Sequence, residues 1–310
     1  MVLVAATAGL VLVTIFALSA RLWWAFDLFS HFRLQYVVLA AALCLVALAV
    51  RALPIAAVLT LVAVVHGWSI KDLWLGGAAP AAARAEPLRV ASANVLSTNP
   101  EPAKVRDFVR ASGADIVVLV EAEGERWGDV LAAIGEDYAH RAPEGWRDGA
   151  PVILFSRHPI VQESVIRSPE GSRPYLGADL ALGGRTVAVV GLHPSSPSPR
   201  DPSDTRQRNR QLDYLADLLD ETHGPVVVAG DFNTSPWSPH FEELVATAGL
   251  RNAADGHGYM GTWPSWFWPA RIPIDHILVK GPVAVAGMER GPATSSDHYP
   301  VVADLRLLER

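Results

Sequence analysis

Three apolar runs fill the start of the chain: Val2 to Ala20, Leu34 to Val50 and Leu53 to Ile70. Each is close to the ~20 residues that a helix needs to cross a bilayer core. Residues 1–78 carry only four basic side chains (Arg21, Arg33, Arg51, Lys71) and two acidic ones (Asp27, Asp72). The alternative is a buried helical hairpin of a globular protein, but the runs lack the polar face such helices show. Trp23, Trp24, Tyr36, Trp68 and Trp74 stand at the run ends, where interfacial aromatics collect. Two further apolar runs follow the first, so it does not read as a cleaved signal peptide. The expectation is three transmembrane helices over residues 1–75. A small-residue, proline-punctuated tether follows over 76–87.

Beyond the tether the texture changes. Residues 79–310 hold 22 basic and 30 acidic side chains, a formal charge of −8. Proteins that grip duplex phosphates usually carry a basic face, so this balance weighs against a duplex substrate. Cys44 is the single cysteine, so no intrachain disulfide can form.

Short β runs alternate with helical or loop segments from Leu88 onward. Strands are expected at Leu88–Val95, Asp115–Glu121, Val152–Ser156, Leu176–Leu182, Thr186–His193, Val226–Phe232, Asp275–Val279 and Val301–Leu307. Helices are expected at Glu101–Ala111, Asp204–Thr222 and Pro239–Thr247. Continuous apolar runs such as Ile116–Val120 and Val226–Ala229 belong to strands buried on both faces. Asn94, Glu121, His193, Asp231 and Asn233 all fall at the C-terminal ends of these strands, where ligands of α/β sheets collect. Taken alone, Asp231 is equally well a turn residue, since Asp favours turns. Glu121 ending an apolar strand needs a partner, and a metal supplies one.

Hydrolysis of a phosphoester needs charge neutralisation of the phosphoryl oxygens, a base for water and support for the leaving oxygen. Mg²⁺ or Mn²⁺ takes carboxylate and amide oxygens, so Glu121, Asp297 and Asn94 are the candidate ligands. Asp231 can take a proton from water, and Asn233 lies two residues on along an extended segment. Asp275 and His298 make a candidate carboxylate–imidazole pair. His276 should point away from Asp275 and is read as structural.

Six motifs occur in order: Ser92-Ala-Asn-Val-Leu96, Val120-Glu-Ala122, Gly191-Leu-His-Pro194, Gly230-Asp-Phe-Asn-Thr-Ser-Pro236, Ile274-Asp-His-Ile-Leu278 and Ser295-Ser-Asp-His-Tyr-Pro-Val301. Together they resemble the endonuclease/exonuclease/phosphatase superfamily, and the resemblance covers residues 88–310. It implies a catalytic domain with a four-layer α/β/β/α sandwich and a divalent-metal-dependent phosphoester hydrolase. By position it implies that Glu121, Asp297 and Asn94 serve the metal. Asp231 and Asn233 would orient water and a phosphoryl oxygen, and Asp275 would hold His298. His193 would act at the scissile phosphate, protonating the leaving group. Many nuclease members carry an acid two residues after the first asparagine, where this chain has Leu96. That departure leaves the metal number open.

Substrate contacts are expected from Arg206, within a group that includes Arg200, Arg208 and Arg210, and from Trp263 and Trp266 in a proline-rich aromatic loop. The arginines read equally well as a solvated helix start, capped by Asp204. The tryptophans suit a lipid interface or stacking on a nucleobase. The favoured substrate is therefore a lipid-linked or membrane-proximal phosphoester. A nuclease acting on DNA or RNA is the alternative, and an inactive membrane-bound interaction module is a third. Counted strictly, the basic residues place the C-terminal domain in the cytoplasm. The overall layout resembles a membrane-anchored subgroup that includes glycopeptide-resistance proteins, which implies a multi-pass cell-membrane protein with an extracytoplasmic catalytic domain. The second expectation is adopted.

Overall fold

In a computed structural model, residues 1–76, 85–144, 151–168, 173–198 and 201–309 are described. The apolar pentad Ile116–Val120 (β2) is buried at every position, as is Val226–Asp231 (β8). Each runs parallel to one neighbour: β2 to β1 (Glu86–Asn94), and β8 to β7 (Arg185–Leu192). A parallel pair needs a crossover. Helix α6 (Ala103–Ser112) lies between β1 and β2, and α8 (Pro202–Asp220) lies between β7 and β8. Helix α6 ends at Gly113 in the left-handed conformation, with φ +63°. Helix α8 starts two residues earlier than Asp204. The carboxylate of Asp201 caps it by accepting from the Ser203 amide, and Pro202 stands in the first turn.

Around these two units stand two six-stranded mixed sheets. The first adds β3 (His140–Ala142), β4 (Val152–Ser156), β11 (Val283–Arg290) and β12 (Val301–Leu307), in the order β11-β12-β1-β2-β4-β3. The second adds β5 (Ile160–Ile166), β6 (Tyr175–Leu182), β9 (Arg251–Asn252) and β10 (Asp275–Lys280), in the order β5-β6-β7-β8-β10-β9. Their facing side chains, among them Val118, Leu154, Val189 and Ile277, form the central core. Outside the first sheet, Val117, Leu119 and Phe155 pack on α6 and α7 (Gly128–Gly135). Outside the second, Val228 and Leu278 pack on α8 and α9 (Pro239–Ala248). The layers are helix, sheet, sheet, helix, so the α/β sandwich expected over the C-terminal part is present.

The apolar runs become α1 (Val2–Leu18), α3 (Arg33–Ala49) and α4 (Leu53–Ser69), packed around Leu10, Ala40, Ala47 and Leu59. Two helices of this region were not expected: α2 (Trp24–Ser30) and α5 (Asp72–Leu75). Among the described residues no single helix is long and apolar enough to cross a membrane alone, because α1, α3 and α4 have 17 residues each. Helices α2 and α3 reach that length and composition together but are bent by 62° at their junction. Of the tether, residues 77–84 lie outside the described residues, as does Arg200, and β1 already begins at Glu86.

The helical region rests directly on the sandwich. Ile70 and Leu73 pack on Trp237. The Gln35 amide donates to the Arg271 carbonyl at 2.6 Å, and the amides of Gly256 and Gly258 donate to the carbonyls of Asp72 and Leu73. Asp27 and Arg208, both without solvent exposure, form an ion pair at 2.6 Å.

Candidate active site

Register decides which side chains meet. Asn94 ends β1 opposite Val120, so Glu121 emerges beside it. In the other sheet Leu192 lies opposite Gly230, which brings His193 beside Asp231. Strand β10 runs antiparallel to β8 and pairs Asp275 directly with Asp231. All these residues therefore gather at one end of the sandwich, on both sheets.

The turns there use unusual backbone. Leu96, Glu121, Asn233 and Ser295 have φ between +52° and +64° although none is glycine. Such conformations cost energy and cluster where geometry is imposed by function. Gly230, at φ +150°, could not be replaced without a clash, since a Cβ there would lie 2.0 Å from the Leu192 carbonyl oxygen.

The hydrogen bonds form one connected network. The Asn94 side-chain nitrogen donates to Glu121 Oε1 and to Asp231 Oδ2, each at 3.0 Å, which ties the sheets together. Its oxygen accepts from the Leu96 amide at 3.1 Å. As placed, Asn94 offers the centre a donor, so service as a metal ligand through oxygen requires the amide to turn over. Asp231 Oδ1 accepts from the Asn233 amide at 2.8 Å, and the Asn233 side chain donates to the Pro194 carbonyl. His193 Nε2 lies 3.5 Å from Glu121 and 3.6 Å from Asp231. Arg173 Nη1 approaches both ring nitrogens, Nδ1 at 2.9 Å and Nε2 at 3.3 Å.

Electrostatics separates the two histidines. Burial, with Arg173 and His298 nearby, outweighs Asp231 and lowers the His193 pKa to about 4. His193 is therefore neutral at pH 7. Burial also acts to lower His298, but the Asp275 and Asp231 carboxylates and the hydrogen bond to Asp275 overcome it, and the pKa is raised to about 10. His298 Nδ1 donates to Asp275 Oδ2 at 2.8 Å, and its Nε2 lies 3.8 Å from Asp231. Burial raises the Asp231 carboxyl, and Asp275 adds to this against the pull of His298 and His193.

Asp297 and Trp263 sit across the cleft, where the indole N–H donates to Asp297 at 3.2 Å. A cavity of about 410 Å³ joins Glu121, Asp231, Asn233, Trp263, Asp297 and His298. The structure thus collects eight side chains expected from sequence: Asn94, Glu121, His193, Asp231, Asn233, Asp275, Asp297 and His298. Trp263 lines the cavity. Trp266 is 77 % exposed beyond it, and Arg206 is exposed on α8 and does not line it. Arg208 is neither a solvated charge nor a rim residue, because it is fully buried against Asp27. His276 is buried against Phe232 and Phe241 with Nε2 at the Thr234 carbonyl, as its phase on the strand implies. Sequence reasoning missed Arg173 and also Leu28, His31 and Phe32, which wall the cavity from the helical region. Asp27, an acid within an apolar segment, was the available signal for that docking.

Two oxygens from different sheets, on Glu121 and Asp231, converge on one Asn94 nitrogen and one His193 nitrogen. Among the described residues, the buried Oδ1 of Asp275 has no hydrogen-bond partner. Asp231, Asp275 and His298 also have ligand-capable atoms within 4.8 Å of one another, but there the imidazole already bonds Asp275. A carboxylate-rich, oxygen-donor pocket of this kind fits Mg²⁺ or Mn²⁺.

Residues 91–298 match the model of the endonuclease/exonuclease/phosphatase family. The chain belongs to that family. The description of the family names endonucleases, exonucleases and phosphatases. Two UPF0294 proteins of Vibrio cholerae are each 30% identical over 129 residues, 40% of this chain. The match covers 42% of their length, less than half of these curated relatives. Among solved structures, D. rerio TDP2 complexed with a single-strand DNA product is similar at TM-score 0.58 and 18% identity, over 71% of this chain and 99% of that one. Sphingomyelinase C of Streptomyces griseocarneus is similar at TM-score 0.53 and 21% identity, over 71% and 99%. A Staphylococcus aureus beta toxin with bound magnesium ions is similar at TM-score 0.55 and 18% identity, over 70% and 99%. These family likenesses extend the shared fold across the sandwich.

Proposed function

We propose that this family member is a membrane-anchored phosphodiesterase or phosphatase whose substrate is a lipid-linked or membrane-proximal phosphoester. The observation that carries the reading is the placement of the catalytic network against the apolar helical region. The outward faces of α1, α3 and α4 expose Leu12, Ile15, Leu45, Leu61 and Val64, a patch too large and too apolar for a surface left in water. In this reading residues 1–75 are the membrane region, 76–87 the tether and 88–310 the catalytic domain. Helices α1, α3 and α4 enter the bilayer while α2 lies on the sandwich, and exposed Trp266 and Trp268 lie at the interface. The catalytic domain is assigned to the extracytoplasmic side by its likeness in layout to membrane-anchored members.

Glu121 and Asp297 would hold the divalent ion, with Asn94 and Asp231 beside it. When bound, Mg²⁺ or Mn²⁺ supplies charge neutralisation to the phosphoryl oxygens. Asp231 takes the proton of the attacking water, and burial makes it a better base than a solvated carboxylate. Asn233 donates to a non-bridging oxygen. His298, protonated and held by Asp275, meets the negative charge that grows on the phosphoryl group. Neutral His193 is a poor proton source at pH 7, so its ring holds Glu121 and Asp231 in place or donates a hydrogen bond to the leaving oxygen.

A screen of lipid pyrophosphates, phospholipids and oligonucleotides with the full chain tests the reading. Turnover of a lipid phosphoester that is abolished by EDTA, restored by Mg²⁺ or Mn²⁺ and absent in Asp231→Ala is expected. Turnover confined to oligonucleotides, with steep salt dependence, would establish the nuclease reading suggested by the DNA-bound TDP2 neighbour. Activity retained by Asp231→Ala would overturn the assignment of the base.

A further inference from the structure

The cavity that holds Asp231, Asn233 and His298 has two kinds of wall. Its floor is polar and comes from the strand ends. Its other side is apolar and comes from two distant parts of the chain: Leu28 and Phe32, with His31 between them, and Ile272, Ile274 and Trp263. Leu28 lies in α2, and His31 and Phe32 lie in the turn that joins α2 to α3. The helical region therefore does not merely hold the sandwich near a membrane. It completes the reaction cavity.

This wall is built in, because three polar contacts fix it. Arg208 Nη2 donates to Asp27 at 2.6 Å, one residue before Leu28. The same guanidinium donates through Nη1 to the backbone carbonyl of Asn233 at 2.9 Å. His31 Nδ1 meets the Ser235 hydroxyl at 2.8 Å. Two of the contacts end on the loop that carries Asp231 and Asn233. Arg208 is thus a positioning residue that ties the apolar wall to the catalytic loop.

We infer that Leu28, Phe32, Ile272, Ile274 and Trp263 form a subsite for the hydrocarbon chain of the phosphoester substrate, seated while its phosphoryl group lies on Asn233 and His298. The inference deepens the lipid-phosphoester reading and rests on it for the source of the chain. A sugar would leave this wall without a partner, and a nucleobase could stack on Trp263 or Phe32 but would leave the aliphatic Leu28, Ile272 and Ile274 unfilled. An alkyl chain buries the wall. The cavity, at about 410 Å³, is within the ordinary range for small-molecule sites.

The test is a series of p-nitrophenyl phosphodiesters with ethyl, butyl, hexyl and octyl second esters, assayed with the full chain in nanodiscs and Mg²⁺. The readout is the octyl-to-ethyl ratio of kcat/KM within each protein, which a partly unfolded preparation leaves unaltered. Wild type is expected to favour octyl by about tenfold or more, given the worth of each buried methylene. Leu28→Ser and Phe32→Ser should bring the ratio close to one. Leu28→Trp, which fills the subsite, should invert it. Leu22→Ser, on a residue 80 % exposed in the same region, should keep the wild-type ratio. A ratio unchanged in Leu28→Ser, Phe32→Ser and Leu28→Trp overturns the subsite even where lipid turnover is found. Conversely, the expected ratios without turnover of any natural lipid phosphoester overturn the lipid reading and leave the alkyl subsite standing.

Discussion

The helical region and the sandwich both bury charge, but they use it differently. In the sandwich, Asp231 and His298 line one cavity where a substrate would sit, with Asp275 bonded to His298 and His193 beside Asp231. In the helical region, Asp27 turns outward from its own helices to Arg208, and Arg33 turns inward to His66 and the Ala17 carbonyl. One set is arranged for chemistry and the other for attachment. The lesson is that burial of a charge does not by itself mark a catalytic group. What it points toward does.

Removing a member of each set should separate the two uses. Asp231→Ala should lower kcat on a phosphodiester by about 10²–10⁴-fold, the usual worth of a general base. Its thermal melting temperature should hold or rise, because burial already disfavours that carboxylate. Asp27→Ala should act first on stability. It leaves the Arg208 guanidinium buried without its partner, and unfolding in denaturant should register a loss of about 3–5 kcal/mol. Equal effects of both variants on stability would erase the distinction.

A smaller effect comes from pH. The folded protein binds the His298 proton more tightly than the unfolded chain does. The resulting stabilisation is complete below the ordinary imidazole pKa of about 6.5 and is lost as pH rises through about 10. Asp275→Asn should therefore melt well below wild type at pH 6, and the gap should close toward pH 10. A gap constant with pH would deny the charge-coupled pair. Smallest is the seam itself. Burial, with Asp72 beside it, raises the Asp255 carboxyl to about 6. A raised acid contributes stability only below its unfolded pKa of about 3.9, and that contribution is lost as pH rises through about 6. Asp255→Asn should thus raise the melting temperature at pH 7.5 and leave it unchanged at pH 4.

The sequence made legible what repeats locally. Buried parallel strands are runs of Val, Ile and Leu, so β2 and β8 were readable, and with them the phase of Glu121 and Asp231. Strand β5 was not, since five consecutive residues from Val161 to Val165 are exposed and no alternation survives. Helix α7, at eight residues with a glycine at each end, carries too little pattern to announce itself. Arg208 was misjudged for a different reason. Its neighbours Arg206 and Arg210 are exposed, and nothing local distinguishes the one arginine whose partner lies 181 residues away. The same distance hid Leu28 and Phe32 from any reading of the cavity.

That separation has a consequence for how the protein is made. Asp27 leaves the ribosome long before Arg208 exists. At 5–20 residues per second the interval is on the order of 10–40 s. During it the carboxylate has no counter-charge, and the α2 turn has no surface to lie on. The catalytic loop is in the same position from the other side, since the Asn233 carbonyl waits on a guanidinium that is seated only when α2 docks. The Leu28 and Phe32 side of the cavity is thus made first and the loop it meets later, so the cavity cannot close before Asp231, Asn233 and His298 have been added.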